Sequence, residues 1–321
     1  MPFSLDPEIS SALTAFNLTT GQTSVTPVLG DVASRRDAFA SLYLPVLSTN
    51  YPNQPSVTIQ NHVTKSADGT EILLRWYCKS GSKSDSAVLF LHPGGLIIGN
   101  ITMFDGIVQS YVEKTGVPYL SVEYRLAPEH RYPKALEDAY AGLQWLHEHA
   151  SQLGVNTAHI AVHGESAGGG LAAALAIFAR DKNGPPITKQ ILIYPMLDDR
   201  TIKADPLVAP FLVWLDVDNE TGWNAYLEEL RGTAGVPATA AAARLQNHTG
   251  LPPLYMEVGE LDLFRDEDIT YAADFRRAGV SAELHVLPGA PHGFEWFAPD
   301  SKIGSSALAG RLRSIESIGA Q

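Results

Sequence analysis

From residue 87 onward, apolar residues come in short, nearly continuous runs: AVLFLH, VPYLSVEY, HIAVHG, KQILIYP, LYMEVG and AELHVL. Helix-length stretches such as KALEDAYAGLQWLHEHA separate most of them. A strand buried on both faces has no wet side to alternate with, so runs of this kind predict a mostly parallel sheet covered by helices on each side, an α/β architecture. Upstream, SVTIQNHV and TEILLRWYC alternate apolar and polar residues around Ala67, Asp68 and Gly69. That pattern predicts a hairpin with one wet face and both strands at a sheet edge. Residues 1–55 mix weakly amphipathic pieces with Ser, Thr, Pro and Gly and read as an appendage. Residues 203–250 interrupt the strand rhythm with PLVAPFLVWL, an acidic helix and an Ala-rich piece. An insertion of that size in a compact sheet is functional or forms a small subdomain. The expected organisation is one α/β unit, 56–202 with 251–321, carrying two attached segments.

Composition narrows the function. With 45% hydrophobic and 18% charged residues the chain can bury a large core, and 35 acidic against 23 basic side chains give a net charge of −12. That balance repels polyphosphate and argues against nucleic acid as a partner. The single cysteine, Cys78, reads as a buried strand residue, and no Cys/His cluster has the spacing of metal ligands. The start, MPFSLDPEISSALTAF, lacks the basic and apolar regions of a secretory signal, and no apolar run reaches the roughly 18 residues of a membrane span. A cytoplasmic protein with no integral membrane association is expected.

The chemistry concentrates at HGESAGGG, where Ser166 stands between Gly164 and Gly168, directly after an apolar run and before AGGGLAAALAIFARD. A G-x-S-x-G turn from strand to helix lifts the serine side chain into the crevice at the C-terminal ends of the strands. A nucleophilic serine needs a base, an orienter for that base and donors for an oxyanion. His292, on the Gly/Pro loop after the last strand, is the candidate base, in the Ser…Asp…His order that hydrolases of this architecture use. Asp262 in VGELDLFRDED is the candidate orienter, with Glu260 and Asp266 as rivals. The small residues of HPGGLIIGN suit backbone donors, and Ala167, following the serine, would supply another N–H.

These pieces, HPGG, YRLAPEHRYPKALED, GESAGGGLA, YPMLDD, DLFRDE and PHGF, run in order over roughly two thirds of the chain. Together they resemble the hormone-sensitive-lipase family of α/β-hydrolase carboxylesterases. The resemblance implies an α/β-hydrolase fold with a helical cap built from residues 1–55 and 203–250. It implies Ser166 as nucleophile, His292 as general base and acid, Asp262 as orienter, and an oxyanion hole from Gly94, Gly95 and Ala167. No cofactor and no metal is expected; the partner is a small-molecule ester, and a homodimer is compatible. Pro93 departs from the family's HGGG, which bears on loop stiffness and the His92–Pro93 isomer, and Leu96 replaces an aromatic residue. Arg125, Glu129 and Asp138 are expected to form an ion-pair and capping set near the elbow, and Glu165 to join a network behind it. Phe211, Leu212, Trp214 and Leu215 are candidates for an apolar acyl or alcohol pocket. The resulting expectation is a serine carboxylesterase acting on short- to medium-chain esters. An acyltransferase or other biosynthetic hydrolase, and a catalytically silent ligand-binding protein, are the alternatives.

Overall fold

The computed structural model describes residues 3–21 and 28–319. Eight strands form one sheet: β1 (Val57–Lys65), β2 (Glu71–Lys79), β3 (Ala87–Leu91), β4 (Tyr119–Val122), β5 (Ile160–Glu165), β6 (Gln190–Ile193), β7 (Leu254–Gly259) and β8 (Ala282–Leu287). Their order is β1-β2-β4-β3-β5-β6-β7-β8. Strands β1, β2 and β4 are joined antiparallel, and every pairing from β4 through β3 to β8 is parallel. The continuous apolar runs explain the centre: every residue of β3, β4, β5, β6 and β7 is buried.

Two expectations change. Strand β2 is not an edge, because it pairs with both β1 and β4, and only β1 ends the sheet on that side. Strand β8 is not buried on both faces; it pairs with β7 alone, and its residues are half-buried or exposed. Its run AELHVL reads as apolar because Ala282, Leu284, Val286 and Leu287 outnumber Glu283 and His285, although one flank is open.

The helices are α1 (Pro7–Ala15), α2 (Val32–Ala38), α3 (Leu44–Asn50), α4 (Asp105–Thr115), α5 (Lys134–His149), α6 (Ala167–Asp181), α7 (Asp216–Leu227), α8 (Arg265–Arg277), α9 (Phe294–Phe297) and α10 (Lys302–Glu316). The sheet is flanked by α4 packed with α10, by α5 packed with α6, and by α8 lying along β7 and β8. Asp6 caps α1 by accepting from Glu8 N–H at 2.8 Å and Ile9 N–H at 3.2 Å, with Pro7 in the first turn where no N–H is needed. Ile9 and Leu13 of that helix pack with Phe294, Phe297 and Ala307, a small second core beside the main one.

One half-buried carboxyl holds the turn that leads into the 203–250 segment. Glu267, in the first turn of α8, accepts the N–H groups of Leu197 at 2.7 Å and Asp198 at 3.1 Å, and also the Thr201 hydroxyl. Burial outweighs those donors and pushes its carboxyl up to about 8 from an ordinary 4.5. Because the folded-state value lies above the unfolded one, its stabilisation is complete below pH 4.5 and is lost as pH rises through about 8. Between pH 5 and 8 the wild-type Tm should therefore fall more steeply than that of Glu267→Gln, which keeps an acceptor without the charge. Parallel melting curves across that range in the two proteins would contradict this.

Candidate active site

The turn after β5 answers for its glycines by contact. A Cβ on Gly164 would lie 2.0 Å from the Gly168 carbonyl oxygen, one on Gly168 2.0 Å from that of Leu91, and one on Gly170 2.0 Å from that of Met196. Only bare backbone allows strand, turn and helix to approach so closely. Ser166 itself stands at φ 53° and ψ −120°, a conformation that costs a non-glycine residue about 1–3 kcal/mol. Neighbours hold it there: Ser166 N–H donates to Ile193 C=O at 2.8 Å, and Met196 N–H donates back to Ser166 C=O at 3.0 Å.

His292 lies against that serine, with Nε2 3.0 Å from Ser166 Oγ, and its Nδ1 lies 2.7 Å from Asp262 Oδ2. An ionised carboxylate can only accept, so the proton sits on Nδ1, and Nε2 keeps its lone pair for the serine hydroxyl. All three residues are buried. Asp262 is fixed in turn by Phe264 N–H, which donates to its other oxygen at 3.0 Å. The rivals are engaged elsewhere: Glu260 accepts Gly289 N–H at 3.1 Å, and Asp266 pairs with Arg265 at 2.7 Å. The loop carrying His292 is tied to the one carrying Asp262 through Leu261 N–H to Ala290 C=O at 3.0 Å.

Beyond β3 the chain turns through Gly94 at φ 128° and Gly95 at φ 61°, and both glycines line the same cavity as Ser166 and His292. Ala167 opens α6 immediately after the serine, which puts its N–H at the positive end of the helix. The loop is packed from both sides, since a Cβ on Gly95 would lie 2.6 Å from the Trp214 ring and one on Gly222 2.6 Å from the Gly95 carbonyl oxygen. Among the described residues the cis peptide bonds are Ala127–Pro128 and Tyr132–Pro133, so His92–Pro93 is trans. His92 is stacked on Tyr124 with ring centroids 4.2 Å apart, and its Nδ1 lies 2.8 Å from Pro93 C=O. Burial lowers it to about 4, which keeps it neutral.

The cavity holds about 360 Å³ and is bounded by residues 28–43, by Val213 and Trp214, and by Trp296. Of the four pocket candidates in the 203–250 segment, Trp214 lines it, while Phe211, Leu212 and Leu215 pack against the main core. Phe39, Leu42, Tyr43, Ile98 and Trp296 also line it, and nothing in their local sequence marks them. The two segments meet through a buried ion pair, Arg35 Nε to Asp218 Oδ1 at 2.8 Å. Arg35 donates besides to Val28 C=O and Asp31 C=O. Arg125 and Asp138 do pair, with two guanidinium nitrogens at 2.8 and 2.7 Å from the carboxylate. Glu129 does not join them: it grips Arg36 at 2.7 and 2.8 Å, and Arg36 also donates to Ile97 C=O at 2.7 Å. Cys78, expected buried, is half-buried near the end of β2. Among the described residues no group of three or more His, Cys, Asp or Glu is arranged to hold a metal ion, and no helix is long and apolar enough to cross a membrane.

Comparison with known proteins agrees with this geometry. A family described as alpha/beta hydrolase fold matches residues 88–296. The esterase LipI of Mycobacterium tuberculosis is 39% identical over 66% of this chain and 66% of its own length, so the match spans just under two thirds of that relative. An ethyl acetate hydrolase of Pseudomonas putida is 33% identical over 65% of this chain and 66% of its own. Among solved structures, a bacterial heroin esterase superposes over 98% of this chain and 97% of its own, with TM-score 0.87 and 33% identity. The matched region holds the serine turn, the glycine loop and both loops that carry Asp262 and His292, and the chain belongs to the α/β hydrolases of the hormone-sensitive-lipase type.

Proposed function

We propose that the chain is a serine carboxylesterase for small, uncharged esters, with Ser166 as nucleophile, His292 as general base and acid, and Asp262 as orienter. The observation that carries this reading is the unbroken relay from Asp262 Oδ2 through the imidazole to Ser166 Oγ, at 2.7 and 3.0 Å, opening on an apolar cavity. Ser166 Oγ attacks the ester carbonyl carbon as Nε2 takes its proton, and Asp262 stabilises the imidazolium that forms. The N–H groups of Gly94, Gly95 and Ala167 receive the oxyanion. The tetrahedral species collapses, Nε2 returns its proton to the leaving alcohol oxygen, and an acyl-serine remains. Water then attacks the acyl carbon as Nε2 takes its proton, and Nε2 returns that proton to Ser166 Oγ as the C–Oγ bond breaks and the acid leaves. No step calls for a cofactor.

Cavity chemistry supports the substrate class. Among the described residues its charged lining side chains, Arg35 and Asp218, neutralise each other, and a desolvated charge on the substrate would find no partner among them. The ethyl acetate hydrolase among the relatives supports a short acyl group. In this reading residues 1–55 and 203–250 act as a cap over the sheet.

Hydrolysis of p-nitrophenyl esters from acetate to long chains should be fastest for short acyl groups and should vanish in a folded Ser166→Ala protein. Inert wild type, or activity surviving that substitution, would refute the reading. Gly95→Ala should lower kcat by roughly 10²-fold, because a Cβ at positive φ, pressed on Trp214, displaces an oxyanion donor. An unchanged kcat would remove Gly95 from the oxyanion hole.

A further inference from the structure

Behind the catalytic residues lies a buried polar cluster whose members come from distant parts of the chain. Glu165 on β5, Glu257 on β7, and Glu295 on α9 surround one cation, Arg311 of α10. Arg311 donates Nε to Glu257 Oε1 at 2.7 Å, and its Nη1 reaches both Glu295 Oε1 and the Tyr111 hydroxyl oxygen at 2.9 Å. Tyr111 donates on to Glu165 Oε1 at 3.0 Å, and Tyr194 donates its hydroxyl to Glu295 Oε1 at 2.5 Å. All four charged residues are buried. A network of this cost in desolvation is more than packing requires.

Its geometry converges on the imidazole. The Tyr194 ring lies 4.5 Å from that of His292 at 60°, and Phe264 closes the other contact at 5.3 Å and 84°. Tyr194 stands at φ 36°, unusual for an aromatic residue, with its N–H donated to Glu257 C=O at 2.6 Å. It therefore bears on His292 through its ring, on Glu295 through its hydroxyl and on Glu257 through its backbone. Burial holds the phenol well above its usual range, so the hydroxyl remains a donor. Tyr194 does not line the substrate cavity, which separates it from residues that touch the ester.

We propose that Tyr194 is a positioning residue for His292: anchored by Glu295 and Arg311, its ring holds the imidazole against Ser166. This rests on the esterase reading above. Loss of alignment at a reacting group lowers kcat far more than it weakens substrate binding.

The test compares Tyr194→Phe, Tyr194→Leu and Glu295→Gln with wild type, using p-nitrophenyl acetate across pH 5 to 9, after circular dichroism has established folding. Tyr194→Leu should lose about tenfold to hundredfold in kcat with KM within about twofold, and the acid limb of its kcat/KM profile should move, since the group that titrates is the histidine. Tyr194→Phe should recover most of the kcat lost in Tyr194→Leu while keeping part of the displaced limb, and Glu295→Gln should reproduce the Tyr194→Phe profile. If Tyr194→Leu does not fold, Tyr194→Phe and Glu295→Gln alone decide the matter by the displaced limb. Wild-type kcat and pH profile in every folded variant would overturn the proposal while leaving a Ser166-dependent esterase in place. Loss of the esterase reading would show separately, as wild type inert or indifferent to Ser166→Ala.

Discussion

The backbone at Ser166 is the constraint on which the rest of the structure depends. Its φ of 53° is unfavourable for a residue with a Cβ, and it persists because Ile193 and Met196 hold its amide and carbonyl from β6 and the segment beyond. Those bonds require β5 and β6 to be paired in register, Val162 opposite Gln190 and Glu165 opposite Ile193. They also require the helix to start within van der Waals contact of the strand, which Gly164 and Gly168 permit. A central parallel sheet provides that rigidity, because its strands are fixed on both flanks and covered on both faces.

Around that point the site is assembled from three remote loops, and each is fastened by polar contacts that apolar packing alone would not specify. Asp262 and His292 are joined through Leu261 and Ala290, and the glycine loop is held by Arg36 from α2, with Gly222 of α7 packed closely against it. The cavity wall follows the same principle. Arg35 and Asp218 are buried, which is tolerable only because each satisfies the other and Arg35 spends its remaining N–H groups on backbone carbonyls.

What could be read from the sequence was what local chemistry writes locally. The apolar runs gave the six central and far strands, and the hairpin residues its turn, because strand burial leaves its mark within a few residues. The serine turn, the glycine loop, and the Asp and His loops were legible because each needs particular residues at fixed spacing. Edge status was not, since whether β2 has a second neighbour depends on where β4 docks. Of the expected set Arg125, Glu129 and Asp138, Glu129 has its partner in Arg36, 93 residues away along the chain, where no local pattern points. The cavity wall was least visible: an aromatic residue in helix α2 or the turn after it looks the same whether it faces the core or the substrate, and only packing decides.

The docking of α1 bears on the order in which the molecule can be assembled as it is synthesised. Ile9 and Leu13 find their apolar partners in Phe294, Phe297 and Ala307, and Asp6 N–H finds its acceptor in Gly289 C=O. Helix α1 therefore reaches its full packing only once residues 289–307 have been made, and the same stretch carries His292. Ser166 and Asp262 are encoded earlier. Ser166 and Asp262 can be in place before His292 is made, so the burial of α1 and the meeting of His292 with Ser166 belong to one closing event.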